Sequence, residues 1–93
     1  MDLRVLWDEH RAAGWPKFSS PDEGELMTLD TVISGCATYY FEEQNLDAPR
    51  LAMLGDCLDD LDTLLPEVPE EAGEYFHRLR TLGEALLETS RPG

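Results

Sequence analysis

Basic residues are scarce in this chain. Lys and Arg together number 7, against 20 Asp and Glu, so the 93 residues carry a formal net charge of −13. Nucleic-acid binding through phosphate contacts needs clustered Lys and Arg, and a polybasic membrane anchor needs the same residues. The composition therefore disfavours direct contact with nucleic acid and excludes an anchor of that kind.

Cysteine and long apolar runs are also in short supply. The two cysteines, Cys36 and Cys57, are too few for a disulfide scaffold, and no C-x-x-C pair suggests a zinc or redox site. No apolar run approaches the roughly 18 residues of a membrane helix. The charged N-terminus lacks the uninterrupted apolar stretch of a signal peptide. We therefore expect a cytoplasmic protein with no metal centre and no cofactor.

Apolar residues with helical spacing are frequent in this chain. Hydrophobic residues make up 42% of the sequence, and they recur at three- and four-residue spacing in four segments. The segments cover about residues 2–13, 21–43, 48–65 and 69–88. No segment alternates as a β-strand does. The sequence predicts one all-α domain over residues 1–93, a small antiparallel helical bundle with three longer helices and a shorter N-terminal helix.

Polar residues mark the predicted helix starts and leave one alternative open. Ser20 and Asp47 are the expected caps of the second and third helices. Thr28 is a second possible cap, which would break the second segment near Leu29. On a helix that starts at Thr28, Asp30 is an ordinary first-turn residue, and we favour this interpretation. On a continuous helix Asp30 would be a buried carboxylate held by an arginine of the first helix (Arg4 or Arg11) or by a tyrosine hydroxyl.

The two cysteines are predicted to face each other. A short turn near Leu46 makes the second and third helices antiparallel, and Cys36 and Cys57 are nearly equidistant from it. Their Cα atoms should lie within about 8 Å, near the range of about 4.4–6.8 Å seen in disulfides. We interpret them as buried free thiols, with a reversible disulfide as the alternative. Gly35 and Gly55 beside them predict a close approach of the two backbones.

The acidic residues are concentrated in the middle of the chain. Residues 21–77 hold fifteen acids and one base, Arg50, a net charge of −14. The densest runs put carboxylates three and four residues apart on helices, where like charges are destabilising. Seven residues form the predicted partner-binding surface, called the acidic face below: Asp56, Asp59, Asp60, Asp62, Glu70, Glu71 and Glu74.

The acidic face has three interpretations. It is a solvated surface kept soluble by its charge, a recognition surface for a basic protein partner, or a Mg²⁺ site. We favour the recognition surface, and hence a non-catalytic interaction or inhibitor module. Bacteriocin immunity proteins, which share this size and acidity, are an analogy for it.

The alternative function is a Mg²⁺-dependent phosphohydrolase. Asp56-x-x-Asp59 with Glu70-Glu71-x-x-Glu74 resembles the carboxylate runs of all-α nucleotide pyrophosphohydrolases, and the resemblance implies a metal held between helices. Here the order of the two runs is reversed, and no basic cluster or glycine-rich loop is present to hold phosphate. No Ser or Cys has a neighbouring base that would activate it, so we assign no catalytic residue and expect no enzyme.

Several apolar and aromatic residues need a burial partner. Val32, Tyr39, Met53 and Leu64 lie outside the main helical stripes and are the predicted self-association residues. Either the N-terminal helix packed across them or a homodimer would bury them.

His10 lies on the apolar face of the first helix and is interpreted as a packing residue. The aromatic residues around the first loop are expected to close one end of the bundle, namely Trp7, Trp15 and Phe18.

Overall fold

The described part of the chain, residues 2–90, contains four α-helices. The computed structural model describes residues 2–90, and its helices are α1 (Leu3–Ala12), α2 (Glu23–Glu43), α3 (Ala48–Leu64) and α4 (Glu70–Ser90), with a 3₁₀ turn at Leu65–Glu67. Residues 2–90 contain no strand. The prediction of an all-α bundle with three longer helices and a shorter N-terminal helix is confirmed.

Local hydrogen bonds explain where the helices begin. Asp47 accepts a hydrogen bond from the amide of Arg50 at 2.9 Å, which satisfies an amide that has no partner within the helix. Ser20 Oγ accepts from the amide of Asp22 at 3.1 Å, in the turn that precedes α2. The helix itself begins at Glu23, two residues later than expected, and Asp22 occupies its cap position.

α2 is continuous through the region where a break was possible. The hydroxyl of Thr28 donates to the carbonyl of Gly24, one turn earlier in the same helix, at 3.1 Å. Thr28 is therefore an interior residue and not a cap, and Leu26 and Leu29 are both buried on the same side of the helix. The interpretation of Asp30 as a first-turn residue is wrong, because the helix starts seven residues before it.

α4 is the helix against which the other three pack. It contacts α1, α2 and α3, and α2 also packs on α3. Its apolar stripe is completely removed from solvent, with 0% exposure at Phe76, Leu79, Leu82 and Leu86. Full burial of a Leu or Phe side chain is worth about 1.5–3 kcal/mol. The position of every other helix is therefore set by its contact with α4.

Aromatic residues close one end of the bundle, as predicted. α1 packs on α4 with Leu6 and Trp7 buried. Trp15 and Phe18, in the loop that follows α1, pack edge-on against Phe76 with ring centroids 5.6 and 5.8 Å apart, respectively. The loop thus covers the end of the core with large apolar side chains.

A glycine does allow two helices to approach closely, but it is Gly83 on α4. A Cβ atom at this position would lie 2.6 Å from Leu58 Cδ2 and 3.6 Å from Ile33 Cγ2. At Gly35 and Gly55 the equivalent point has no such atom within 4 Å. The prediction of a close approach at those two glycines is wrong, because Gly35 is exposed and Gly55 only half-buried.

The two longest helices each have 21 residues. α4 extends to Ser90, two residues beyond its expected end. The sequence predicts a frayed C-terminal tail that includes Ser90 and Pro92. Ser90 is instead the last residue of α4 and is 8% exposed, whereas Pro92 lies outside the described residues. None of the helices in residues 2–90 is both long and apolar enough to cross a membrane.

Alanine substitutions should distinguish Gly83, which has no space for a methyl group, from Gly35 and Gly55, which have space for one. Gly35→Ala and Gly55→Ala are each expected to raise the free energy of unfolding by up to about 1 kcal/mol, because alanine is the better helix former and the added methyl has space. Gly83→Ala should be less stable than Gly35→Ala by about 1–3 kcal/mol, because Leu58 must leave a well-packed position. Urea unfolding followed by circular dichroism measures the differences. Equal stability of Gly83→Ala and Gly35→Ala would contradict the close approach at Gly83.

Candidate functional site

α3 carries leucines on one side and carboxylates on the other. The inward residues Leu54, Leu58 and Leu61 are at most 6% exposed. On the opposite side three carboxylates of the acidic face are exposed, and we call them the α3 patch: Asp56, Asp59 and Asp60. Because the leucines recur at helical spacing and are buried in the core, the carboxylates between them must point to solvent.

The three glutamates of the acidic face lie in the first turns of α4. Glu70, Glu71 and Glu74 are all exposed, and we call them the α4 patch. Carboxylates at a helix N-terminus interact favourably with the helix dipole. Glu74 also accepts a hydrogen bond from Arg78 Nη2 at 3.1 Å. The α4 patch therefore has local structural reasons to be acidic.

Asp62, the seventh residue of the acidic face, is bound by Arg80. Arg80 donates from Nε and Nη2 to the two carboxylate oxygens of Asp62, and its Nη2 also lies 2.8 Å from Glu84 Oε1. The hydrogen bond to Asp62 is the main cause of a raised pKa at Arg80. This ion pair links α3 to α4 and neutralises the charge of Asp62.

The structure divides the acidic face into two patches. Asp62 lies opposite Arg80 and Leu58 lies opposite Gly83, so α3 and α4 run antiparallel in a defined register. On that register the middle of the α3 patch is level with Gly83. Glu71 lies about 12 residues earlier in α4, some 15–18 Å away along the helix axis at about 1.5 Å per residue. The α3 patch is therefore the coherent part of the predicted surface, and the α4 patch is separate from it.

Arginines elsewhere in the bundle pair with other acids. Arg4 and Arg11 both contact Asp8, and Arg50 contacts Asp47. Among residues 2–90, no cationic side chain is within ion-pair distance of the α3 patch. Three neighbouring carboxylates without a counter-charge produce a strongly negative local potential.

The carboxylates of the acidic face do not converge on one point. Within the described part of the chain, no group of three or more His, Cys, Asp or Glu residues is close enough to hold a metal ion. A cleft of about 510 Å³ lies between the α2–α3 turn and the end of α4, and no residue of the acidic face lines it. The acidic face is an exposed helix surface and not the wall of a pocket.

A buried polar cluster joins α1, α2 and α4. His10 Nε2 lies 2.7 Å from Asp30 Oδ1, and the Tyr75 hydroxyl lies 3.4 Å from the same nitrogen. Since a carboxylate only accepts, Nε2 carries the proton and donates it to Asp30. Burial raises the pKa of Tyr75 above its ordinary value, and the charge of Asp30 and a hydrogen bond from the hydroxyl to that carboxylate raise it further. Asp30 of α2 thus pairs directly with His10 of α1, and the Tyr75 hydroxyl of α4 lies next to this pair.

Sequence reasoning missed this cluster. It treated His10 as a packing residue, whereas His10 is both buried, at 4% exposure, and hydrogen-bonded to Asp30. Of the partners considered for Asp30, the tyrosine hydroxyl lies next to the His10–Asp30 pair, while Arg4 and Arg11 contact Asp8 instead. The signal in the sequence was that His10 and Asp30 are polar residues, each at the edge of the apolar stripe of its own helix. Helical spacing does not indicate which stripes will meet.

The predicted self-association residues have different surroundings. Tyr39 lies beneath the guanidinium of Arg50, 3.8 Å from ring centroid to Cζ, and Leu64 packs at the edge of the core. Val32 is half-buried, and Met53 is 43% exposed. The packing of α1 on α4 leaves Met53 uncovered. Self-association stays a prediction.

Comparison of the chain with known protein families, with curated proteins and with solved structures finds no match in any of the three. The acidic face is therefore interpreted from its own residues and their geometry.

Asparagine substitutions distinguish the paired aspartate from the unpaired ones. The double change Asp59→Asn/Asp60→Asn should leave the thermal stability unchanged or slightly raised, because it removes like-charge neighbours and breaks no ion pair. Asp62→Asn should lower it, because Arg80 loses its partner on α3. Thermal melts at low salt measure both effects, and added salt should reduce both. A clear loss of stability in the double variant would show that Asp59 or Asp60 has a structural partner.

The hydroxyl of Tyr75 should stabilise the fold in a pH-dependent way. Tyr75→Phe is expected to lower the free energy of unfolding at neutral pH by about 1–2 kcal/mol, because Asp30 loses a donor. The folded-state pKa of Tyr75 is raised above the unfolded value of about 10. The hydroxyl's contribution is therefore fully present below about pH 10 and is lost as the pH rises through the folded-state pKa.

Urea unfolding of the wild type and of Tyr75→Phe, from neutral pH to about pH 11, measures this difference. The gap between the two proteins should narrow on the alkaline side. Tyr40→Phe, at a half-buried tyrosine outside the cluster, is the matched control. A gap that is constant over the whole pH range would contradict the hydrogen bond to Asp30.

Proposed function

We propose that this chain is a non-catalytic interaction module of the inhibitor or immunity type, which binds a basic protein partner through its acidic face. The observation that supports this most is the α3 patch. Its three carboxylates are exposed, adjacent on one helix, and without a cation in ion-pair distance among residues 2–90. Such a surface attracts a basic partner over several ångströms and repels nucleic acid.

The support behind the α3 patch is rigid. Leu58 is buried directly behind it against α4, and the ion pair between Asp62 and Arg80 holds α3 on α4 one turn away. A surface that is already ordered loses little conformational entropy when a partner binds. The backbone positions of the three carboxylates are therefore suited to a partner with a fixed pattern of basic groups.

The form of the surface favours a protein over a small ligand. Small-molecule sites are concave and bury most of their ligand, whereas the α3 patch lies on the outer side of a helix. Exposed charges of this kind act mainly on the rate of association and on the choice of partner. The proposed role of the α3 patch is thus to guide and select the partner, with the adjoining half-buried surface completing the contact.

A short arginine-rich peptide carrying a fluorophore is the probe that tests this proposal. Binding is measured by fluorescence anisotropy, and association rates by stopped flow, at low and moderate salt. The triple variant Asp56→Asn/Asp59→Asn/Asp60→Asn should bind about tenfold more weakly at low salt, from about 0.3–1 kcal/mol per lost charge. Most of the loss should appear in the association rate, and the salt dependence should be shallower.

A matched variant removes the same number of charges elsewhere. Glu9, Glu42 and Glu43 are exposed, and their replacement by glutamine changes the net charge by the same amount as the triple variant. If both variants weaken binding equally, net charge alone is responsible and the proposed role of the α3 patch is wrong. A Mg²⁺-specific rise in Tm at constant ionic strength, absent from the α3 triple variant, would instead support the phosphohydrolase alternative.

A further inference from the structure

Cys36 on α2 and Cys57 on α3 are near neighbours across the α2–α3 hairpin. Ile33 and Leu58 both approach the same point beside Gly83, so they lie at about the same height in two antiparallel helices. Cys36 comes three residues after Ile33, and Cys57 comes one residue before Leu58. At about 1.5 Å per residue, the two cysteines are therefore within about 3 Å of each other along the helix axes.

Both cysteines lie on the side of their helix that faces the core. Cys36 is 2% exposed, and Cys57 is half-buried at the edge of the core. Packed helices have axes about 8–10 Å apart, and Cα atoms lie about 2.3 Å from each axis. Residues that face each other directly can therefore have Cα atoms about 3.4–5.4 Å apart. The axial offset of about 3 Å raises this separation to about 4.5–6.2 Å, which is within the disulfide range.

The electrostatic surroundings agree with this proximity. Burial is the main cause of a raised pKa at both thiols. The charge of Cys36 is the next largest cause of the raised pKa of Cys57, followed by the charges of Asp60 and Asp56. Asp56 directly precedes Cys57 and Asp60 follows it by one helical turn, so both carboxylates are neighbours of this thiol on α3. Both cysteines are free thiols in this structure.

We propose that Cys36 and Cys57 form a dithiol modification site, which exchanges with a small cationic or neutral disulfide and closes an intramolecular bond between α2 and α3. The site is independent of the proposed function. It is selective because two carboxylates of the α3 patch, Asp56 and Asp60, repel an anionic disulfide from the exposed side of Cys57.

The exchange proceeds in two balanced steps. Cys57 is the more accessible thiol, so its thiolate attacks the disulfide R–S–S–R, forms Cys57–S–S–R and releases R–S⁻, which takes up the proton that Cys57 lost. The Cys36 thiolate then attacks Cys57 Sγ, breaks the mixed disulfide and releases a second R–S⁻, which takes up the proton that Cys36 lost. The protein loses two electrons and two protons, and the small disulfide gains them. Burial keeps the thiolates scarce, so the exchange is slow at neutral pH.

Cystamine, a dication, and glutathione disulfide, an anion, are the probes for the native protein. With cystamine, mass spectrometry should show the loss of two hydrogens with no adduct, and peptide mapping should show a bond between Cys36 and Cys57. The bond should raise Tm, because it closes a loop in the unfolded chain. Selectivity is measured as the reaction rate with cystamine divided by the rate with glutathione disulfide. N-acetylcysteine, a free thiol, gives the reference value of this ratio. The ratio for the protein should exceed the reference value by at least about tenfold.

Substitutions test each part of the proposal. Cys36→Ser should stop at a stable cysteamine adduct on Cys57, and Cys57→Ser should resist modification while folded, because Cys36 is buried. Asp56→Asn/Asp60→Asn should lower the normalised rate ratio, whereas Glu42→Gln/Glu43→Gln, with the same change in net charge, should preserve it more fully. A stable adduct on wild-type Cys57, or disulfide-linked dimers, would overturn the intramolecular bond. An equal ratio in the two carboxylate variants would overturn the selectivity.

Discussion

The burial of one side of α4 is the interaction on which the rest of this structure depends. Phe76, Leu79, Leu82 and Leu86 have no exposed surface, and each of the other helices contacts this side or its margins. α1 has only ten residues, too few for a stable helix in isolation, so its structure depends on docking. α2 and α3 form a hairpin whose two inner faces meet α4 near Gly83, where the absence of a side chain gives Leu58 its position. The fold is therefore a central helix with three other helices packed against it, and not a symmetric bundle.

This arrangement determines which acidic residues share a surface. Leu58 against Gly83 defines both the depth and the register of α3, and the ion pair between Asp62 and Arg80 agrees with that register. As a consequence Asp56, Asp59 and Asp60 lie together, while the glutamates at the start of α4 lie beyond the C-terminal end of α3. The seven carboxylates that looked like one cluster in the sequence therefore have four different surroundings. Asp62 pairs with Arg80, Glu74 contacts Arg78 in its own helix, and Glu70 and Glu71 lie in the first turn of α4. The three carboxylates of the α3 patch have no ion-pair partner among residues 2–90.

Helical spacing and capping residues were enough to predict the class of fold, and to place the helix ends within about two residues. What the sequence could not indicate was how helices meet across long separations. Gly83 and Gly35 look equivalent in sequence, yet Gly83 alone of the two faces another helix. Asp30 is a polar residue at the margin of an apolar stripe, and its role depends on His10, twenty residues earlier, and on Tyr75, in the last helix. The acidic face was predictable as a set of exposed residues, but its division in two depended on the register of α3 against α4.

The free energy of folding depends mainly on the core and only slightly on the charges of the α3 patch. Like-charge neighbours on a helix cost a few tenths of a kcal/mol per pair, whereas the leucines behind them contribute about 1.5–3 kcal/mol each. The fold therefore tolerates the α3 patch without needing it. Asp30 differs from these carboxylates, because it is half-buried and accepts a hydrogen bond from His10 of another helix. A carboxylate that is tolerated at a small cost, with no ion-pair partner among residues 2–90, is free to interact with groups outside the fold. In our two proposals the α3 patch attracts a basic partner, and two of its carboxylates repel anionic reagents from the thiol of Cys57.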